Sequence, residues 1–484
     1  MNAIHIDPAR RVDAIHPHVF GGFAEHLGRC INGGIYDPDH PLADDRGLRS
    51  DVRQALMELR MPIMRYPGGN FVSGYRWRDG VGPREARPAR HDLAWAALEP
   101  NTFGTNEFVD FCRDIGTEPY LVVNCGDGDM REAHDWVEYC NGRDDTALAN
   151  LRRAHGWERS HDVKYWGLGN EVDGEWQIGA KQPQEYARVC KEFGKVMKWA
   201  DPSIKLLASA TCHWRSDLVE RAQLIVEEAS DLIDYMSIHW YVGNSLARGQ
   251  QRDDDFNAYM AISELIEARL SGYAGLMRGL CLAHGLEPIP LAVDEWNVWY
   301  RAFRDQALEE HYNLEDALVV ALQMNAFIRH ADTVKMANLA QIVNVIAPIL
   351  TSPTGLVRQS IFHPFRLYSQ WARGDALDLH WEGETFDGGD YQGVRVLDVA
   401  GSLQGSRLGL FIVNRSLESS TVELKLSAGE LSDLTCHVVN GPDIKTVNSE
   451  AEPELVTVRT ATPASATHLE LEPHSVTVVT GHLA

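Results

Sequence analysis

Eight short apolar runs, each separated from the next by a longer segment, constrain this chain more than any other feature. They are HVFGGFAE (18–25), MPIMRY (61–66), EPYLVVNC (118–125), VKYWGLGN (163–170), IKLLASA (204–210), DYMSIHWY (234–241), IPLAVDEW (289–296) and VKMANLAQ (334–341). They are nearly continuous in apolar residues, the pattern of strands buried on both faces of a parallel sheet. Helix signals lie between them. In GTNEFVDFCRDIGTEP, Phe108, Phe111, Cys112 and Ile115 share a face, with Thr105 as the expected N-cap and Gly116 as the stop. In QPQEYARVCKEFGKVMKWADP, Tyr186, Val189, Cys190, Phe193 and Met197 share a face; Pro183 suits the first turn, and Asp201-Pro202 closes the segment. Eight strand–helix alternations predict a (β/α)8 TIM barrel, an α/β fold, over an open doubly wound sheet. There is no GxGxxG leading into a helix and no Walker loop.

The pattern changes near residue 370. GVRVLDVAGSL, RLGLFIVNRS, STVELKLS, TCHVVNG, THLELEP and SVTVVTGHL are strand-like segments divided by turn residues. VELKL alternates as a half-buried antiparallel strand does. A chain of 484 residues is too long for one average domain. The expected division is a barrel over 14–365 and a C-terminal, jelly-roll-like β-sandwich over 366–484, joined by an N-terminal strand within 1–13.

The 45 basic and 69 acidic residues give a net charge of −24. Nucleic acid and anionic membrane both need basic surface, so neither is an expected partner. A neutral small molecule is. No run reaches transmembrane length, and the N-terminus lacks an apolar signal-peptide core. The eight cysteines form no CxxC pair and mostly sit in apolar patterns, as buried reduced thiols of a cytoplasmic protein would.

In such a barrel the active site lies at the C-terminal ends of the strands. The polar residues there are Glu25-His26, Arg65 and the following YPGGN to Asn70, Asn124, Asn170-Glu171, His239-Trp240-Tyr241, Asp294-Glu295 and the stretch to Gln341. Glu171 and Glu295 stand out. Strands four and seven face each other across a barrel mouth, so each becomes a rigid mount for one carboxylate. Glycoside hydrolysis needs such a pair: one carboxyl protonates the leaving oxygen, and the other attacks the anomeric carbon or activates water. A lone acidic residue at a strand end reads instead as a helix cap or ion-pair partner. Glu25-His26 has no third ligand at a standard spacing and there is no HExxH, so neither a metal nor another cofactor is expected. Trp95 and Trp299 offer stacking faces, balanced by packing roles. Strand alternation should turn Asp294 away from Glu295.

GGFAEHLGRCINGGIYDP, MRYPGGNFVSGYRWRDGVGP, FGTNEFVDFCRDIGTEPYLVVNCG, YWGLGNEVDG, SIHWYVGN, DEWNVWY and MANLAQIVNVIAPI occur in order over about residues 20–350. Together they resemble the α-L-arabinofuranosidases of glycoside hydrolase family 51. The resemblance implies a retaining, exo-acting enzyme that removes terminal α-L-arabinofuranosyl units from arabino-oligosaccharides. Glu171 is then the acid/base and Glu295 the nucleophile. Asn170 would bind the sugar 2-hydroxyl, while Glu25, Asn70 and Gln341 grip other hydroxyls. Arg65 would keep Glu295 ionised, and His239 and Tyr241 would orient the carboxylates. A homo-oligomer, often a hexamer, is implied too. The loops ARHDLAWAALEPN and GNSLARGQQRDDDFNAY are where leaving-group preference should lie. The alternatives are a related barrel β-xylosidase or endoglucanase, a non-catalytic sugar-binding barrel, and a metal-dependent sugar isomerase.

Overall fold

In the computed structural model, which describes residues 2–243, 255–302 and 308–483, the eight runs close into a parallel barrel. Its strands are β1 (Gly21–Phe23), β2 (Ile63–Tyr66), β3 (Glu118–Val123), β4 (Tyr165–Leu168), β5 (Lys205–Thr211), β6 (Tyr235–Val242), β7 (Leu291–Val298) and β8 (Val334–Ala340). Inside the barrel, Ile63, Tyr120, Val122, Tyr165, Leu207, Ala292 and Met336 pack as one cluster, so the axis is a filled core and not a pore. Outward residues of the same strands, such as Val293 and Trp296, pack with the surrounding helices. Cover on both sides is why the runs are apolar throughout.

The helix Thr105–Ile115 starts one residue earlier in its capping than the sequence suggests. Gly104 is the N-cap, and its N–H donates to the Glu107 carboxylate at 2.9 Å. Thr105 is buried, and its Oγ1 accepts from Trp136 Nε1 at 3.1 Å, so it is unavailable as a cap. Gly116 ends the helix at φ +72°, a conformation that favours glycine. Pro183 opens the helix Pro183–Ala200 behind Gln182.

Among the described residues, a seven-stranded and a four-stranded sheet are built from strands on both sides of the barrel in sequence. The larger runs in the order Arg11–Ala14, Asp375–Leu377, Leu397–Gln404, Arg407–Asn414, Ser475–Leu483, Leu431–Asn440, Thr457–Ala461. The smaller runs His380–Glu382, Asn2–Ile6, Ser420–Leu426, His468–Leu471. Ile4, Val422, Leu424 and Leu469 of the smaller sheet meet Leu408, Leu410, Ile412 and Val479 of the larger. The intervening residues Phe411, Val413, Val476 and Val478 turn the other way and join the barrel core. Phe411 packs on Tyr368 with ring centroids 4.6 Å apart. RLGLFIVN is therefore apolar on both faces, whereas VELKL alternates. Arg329 crosses the seam between barrel helix and sheet, reaching Glu267 at 2.6 Å and Asp398 at 2.9 Å.

All eight cysteines are free thiols, and six are buried. Among the described residues no helix is long and apolar enough to cross a membrane.

Candidate active site

A cavity of about 780 Å³ opens at the C-terminal mouth of the barrel, lined by Glu25, Asn70, Trp95, Glu171, His239, Tyr241, Glu295, Trp299 and Gln341 among others. Arg65 and Asn170 lie beneath it, each 1% exposed. The residues picked out at separate strand ends thus converge on one space.

Glu171 reaches this space through a sharp turn. Beyond β4, Gly169 has φ +79° and Glu171 has φ +41°, a costly value for a residue with a side chain. Asp173 pins the turn to the end of β5. Its carboxylate accepts from Thr211 Oγ1 at 3.2 Å, Cys212 N at 3.0 Å and His213 N at 3.3 Å. Burial works against that carboxylate, but these donors, led by Cys212, hold it below the usual range. Trp176, five residues past Glu171, donates from Nε1 to Glu171 Oε2 at 2.7 Å.

Glu295 depends on a bulge in β7. Ser237 pairs with Ala292 and His239 with Glu295, so three steps along β7 match two along β6. The same excess recurs against β8, between the pairs Val293–Ala337 and Trp296–Leu339. An extra residue re-aims the side chains around it. The expectation that Asp294 points away from Glu295 is therefore wrong: both face His239. Asp294 accepts from Tyr120 Oη at 2.7 Å and from Ser237 Oγ, and its Oδ1 lies 3.3 Å from His239 Nε2. On the other side of the ring, His239 Nδ1 is 3.2 Å from Glu171 Oε1 and 3.6 Å from Glu295 Oε2. Glu171, His239 and Glu295 each present an atom within 4.8 Å of the others.

Two more groups complete the surroundings of Glu295. Arg65 donates from Nη1 to Glu295 Oε2 at 2.8 Å and to the Asp294 carbonyl at 3.2 Å, and from Nη2 to Asn170 Oδ1. The Phe23 ring lies 4.4 Å from the guanidinium. Tyr241 donates its hydroxyl to Glu295 Oε1 at 2.9 Å. Glu25 accepts from Trp95 Nε1 at 3.0 Å, Phe71 N at 3.1 Å and Gln341 Nε2 at 2.8 Å. Trp95 arrives on a hairpin of strands Arg90–Asp92 and Ala97–Glu99, and Asp92 accepts from its backbone N–H at 3.1 Å. Trp95 therefore contributes an indole N–H as well as a face. Trp299 donates to the Ala302 carbonyl and stands edge-on to Tyr241, at 5.4 Å between ring centroids.

Burial and charge set the protonation of this cluster. Burial pulls the His239 pKa down, but Glu295, Asp294 and Glu171 outweigh it and lift the imidazole to about 10. Glu25 is pushed up to about 8 by burial and then by the nearby Glu295. Glu295 is raised by burial and by Glu171, with His239 and Arg65 opposing. Asp294 is held far below the usual range because Arg65, His239 and Ser237 overcome its burial. Glu171, His239 and Glu295 have metal-binding atom types, yet the donors are already engaged. The imidazole stays protonated, and Glu295 Oε2 faces a permanent cation at 2.8 Å. Such a set suits proton transfer better than a divalent ion.

The sequence reading missed Trp176, Asp173 and Cys212, which also lines the cavity. Trp176 left a signal, an aromatic residue in the loop directly after a strand-end carboxylate. Asp173 left none, since its role rests on where β5 ends. The strand-six insert lies largely outside the described residues, in 244–254.

A parallel barrel with a carboxyl pair across its mouth defines a glycosidase site on a widely used fold. Residues 55–258 match the family model of the alpha-L-arabinofuranosidase 1 domain, and residues 294–475 that of the alpha-L-arabinofuranosidase C-terminal domain. Alpha-L-arabinofuranosidase C of Emericella nidulans is 40% identical, covering 98% of this chain and 96% of that protein. The intracellular exo-alpha-(1->5)-L-arabinofuranosidase 1 of Bacillus subtilis is 38% identical over 93% of this chain and 92% of its own length. A solved family 51 α-L-arabinofuranosidase from Bifidobacterium longum superposes with a TM-score of 0.93 at 33% identity, covering 99% of both chains. The chain belongs to the α-L-arabinofuranosidases of glycoside hydrolase family 51.

Proposed function

We propose that this protein is a retaining, exo-acting α-L-arabinofuranosidase that releases terminal arabinofuranosyl units from arabinan and arabinoxylan fragments, with Glu171 as acid/base and Glu295 as nucleophile. The observation that carries this reading is that the two carboxylates close on one imidazole nitrogen, Glu171 Oε1 at 3.2 Å and Glu295 Oε2 at 3.6 Å from His239 Nδ1, which leaves little room for a water between them. Retaining enzymes hold the pair about 5–5.5 Å apart, while inverting enzymes leave about 6.5–9.5 Å for a water.

In the first step Glu295 attacks the anomeric carbon while Glu171 gives its proton to the departing oxygen. The glycosidic bond breaks and a glycosyl ester on Glu295 forms. Arg65, Tyr241 and the His239 imidazolium favour the ionised nucleophile despite its burial. Once the ester forms, the charge of Glu295 is gone. Glu171, now a carboxylate, takes a proton from water as that water attacks the same carbon, and Glu295 is released. Glu25, Asn70, Asn170 and Gln341 hold the sugar hydroxyls in this reading.

Trapping with a 2-fluoro arabinofuranoside tests it: the label should reside on Glu295. Glu171→Ala should slow substrates with poor leaving groups far more than activated aryl glycosides, which need little protonation. Equal losses, or a label elsewhere, would overturn the assignment. A nitrophenyl xyloside or glucoside cleaved faster than the arabinofuranoside would favour the alternative barrel hydrolases, and binding without turnover a sugar-binding module. The proposal extends to a barrel unit over 14–365 that carries the chemistry, a sandwich unit over 366–484 with residues 1–13, a cytoplasmic location and a homo-oligomer. The intracellular Bacillus relative supports the location, and light scattering would read the assembly.

A further inference from the structure

Far from the catalytic residues in the fold, the smaller sheet brings three metal-ligating side chains together. His5 lies on strand Asn2–Ile6, and His380 and Glu382 lie on the neighbouring edge strand His380–Glu382. The strands are antiparallel, and His5 is the register partner of His380. Their alternation sorts the faces. Ile4 packs inward with Trp381 behind it, whereas His5, His380 and Glu382 share the outer, solvent-facing side. Opposite Glu382 stands Ala3, which is too small to hold its carboxylate in place. The carboxylate leans instead toward His5, with Oε1 at 3.3 Å from His5 Nε2. The two imidazole rings lie 5.3 Å apart between centroids, and each of the three residues offers a ligand atom within 4.8 Å of the others.

We propose that His5, His380 and Glu382 form a surface site for a divalent transition ion of the zinc type. Two ligands bound at about 2.0–2.1 Å in a tetrahedron sit about 3.3 Å apart. His5 and Glu382 already have that separation, and rotation of the exposed His380 side chain closes the remaining gap. Water completes the coordination. The nearest cation on the adjoining strand is Lys425, the register partner of His5, and its Nζ lies 3.5 Å from Glu423. The two carboxylates outnumber that one ammonium, so the patch favours a dication. A bound ion ties the edge strand to its neighbour through side chains, in addition to the backbone ladder.

An ion that binds the folded chain and not the unfolded one must raise the thermal midpoint. Metal-stripped protein titrated with Zn2+ alone should show a midpoint that rises with concentration. His5→Ala and His380→Ala should each weaken the apparent affinity about tenfold or more, a change already seen when residues that merely orient a ligand are lost. Both side chains are at least partly exposed, so the variants fold, and turnover of a nitrophenyl arabinofuranoside without added metal should match the parent. If Zn2+ leaves the parent's midpoint unmoved, or shifts His5→Ala and His380→Ala as much as the parent, the site does not exist.

Discussion

Arg65→Met tests the electrostatic logic of the active site most directly. The guanidinium is buried, holds Glu295 Oε2 at 2.8 Å and approaches Asp294 Oδ2 at 3.5 Å. Charge centres about 4 Å apart attract by about 4 kcal/mol at an effective dielectric of 20. Methionine keeps the bulk and removes that attraction. Glu295 then holds its proton more tightly, so a smaller fraction is ionised at any given pH. The profile of kcat/KM reports the free enzyme's essential groups. Its low-pH limb should therefore move to higher pH in Arg65→Met when measured with a nitrophenyl α-L-arabinofuranoside. Unfolding stability should also fall, but by less than the loss of about 3–5 kcal/mol that follows when a buried charge loses its sole partner, because His239 still faces both carboxylates. Arg65→Lys restores the charge without the fork and should lie between the two. A profile that keeps its limbs in place and only drops in height would refute the argument, because Arg65 would then act by contact and not by charge.

Glu25→Gln should change how stability depends on pH. The folded-state pKa of Glu25 is about 8 against 4.5 for the free group, so the unfolded chain loses its proton first and stability falls as pH rises across that window. Urea unfolding at both ends of the window should show the variant gaining on the parent toward high pH, and parallel curves would contradict it. Trp176→Phe removes the donor to Glu171 while keeping a ring, and should slow substrates with poor leaving groups about tenfold, the value of one hydrogen bond to a charged group; steady-state rates on paired substrates check this. Arg329→Met breaks the partly buried link to Glu267 and Asp398 and should cost about 1–3 kcal/mol of stability, the cost of leaving Asp398 without that donor. Calorimetry should show the loss, while kcat of the folded enzyme stays unchanged.

The barrel was legible because its strands are covered on both sides, which leaves an unbroken apolar mark in the sequence. The carboxylates were legible because they end those marks. What escaped depends on register or on distant chain. Asp294 was misdirected because simple alternation cannot reveal a bulge, and the bulge lies in the pairing of β7 with β6 and β8. The Gly104 cap escaped because Thr105, the better capping residue by type, is drawn into a bond with Trp136. Asp173 needed the position of Thr211, Cys212 and His213 beside it. The cluster of His5 with His380 required knowing that strands from the two ends of the chain are neighbours.

That neighbourhood has a consequence for how the protein is made. Asn2–Ile6 lies between His380–Glu382 and Ser420–Leu426, and Arg11–Ala14 pairs with Asp375–Leu377. A growing polypeptide must therefore carry its earliest strands without partners while the whole barrel emerges from the ribosome. The smaller sheet cannot close before Ser420–Leu426 and His468–Leu471 have been made, so it does not mature ahead of the barrel. Losing Asn2–Ile6 would spare Glu171 and Glu295 yet strip an inner strand from a sheet whose other three strands all come after the barrel in sequence.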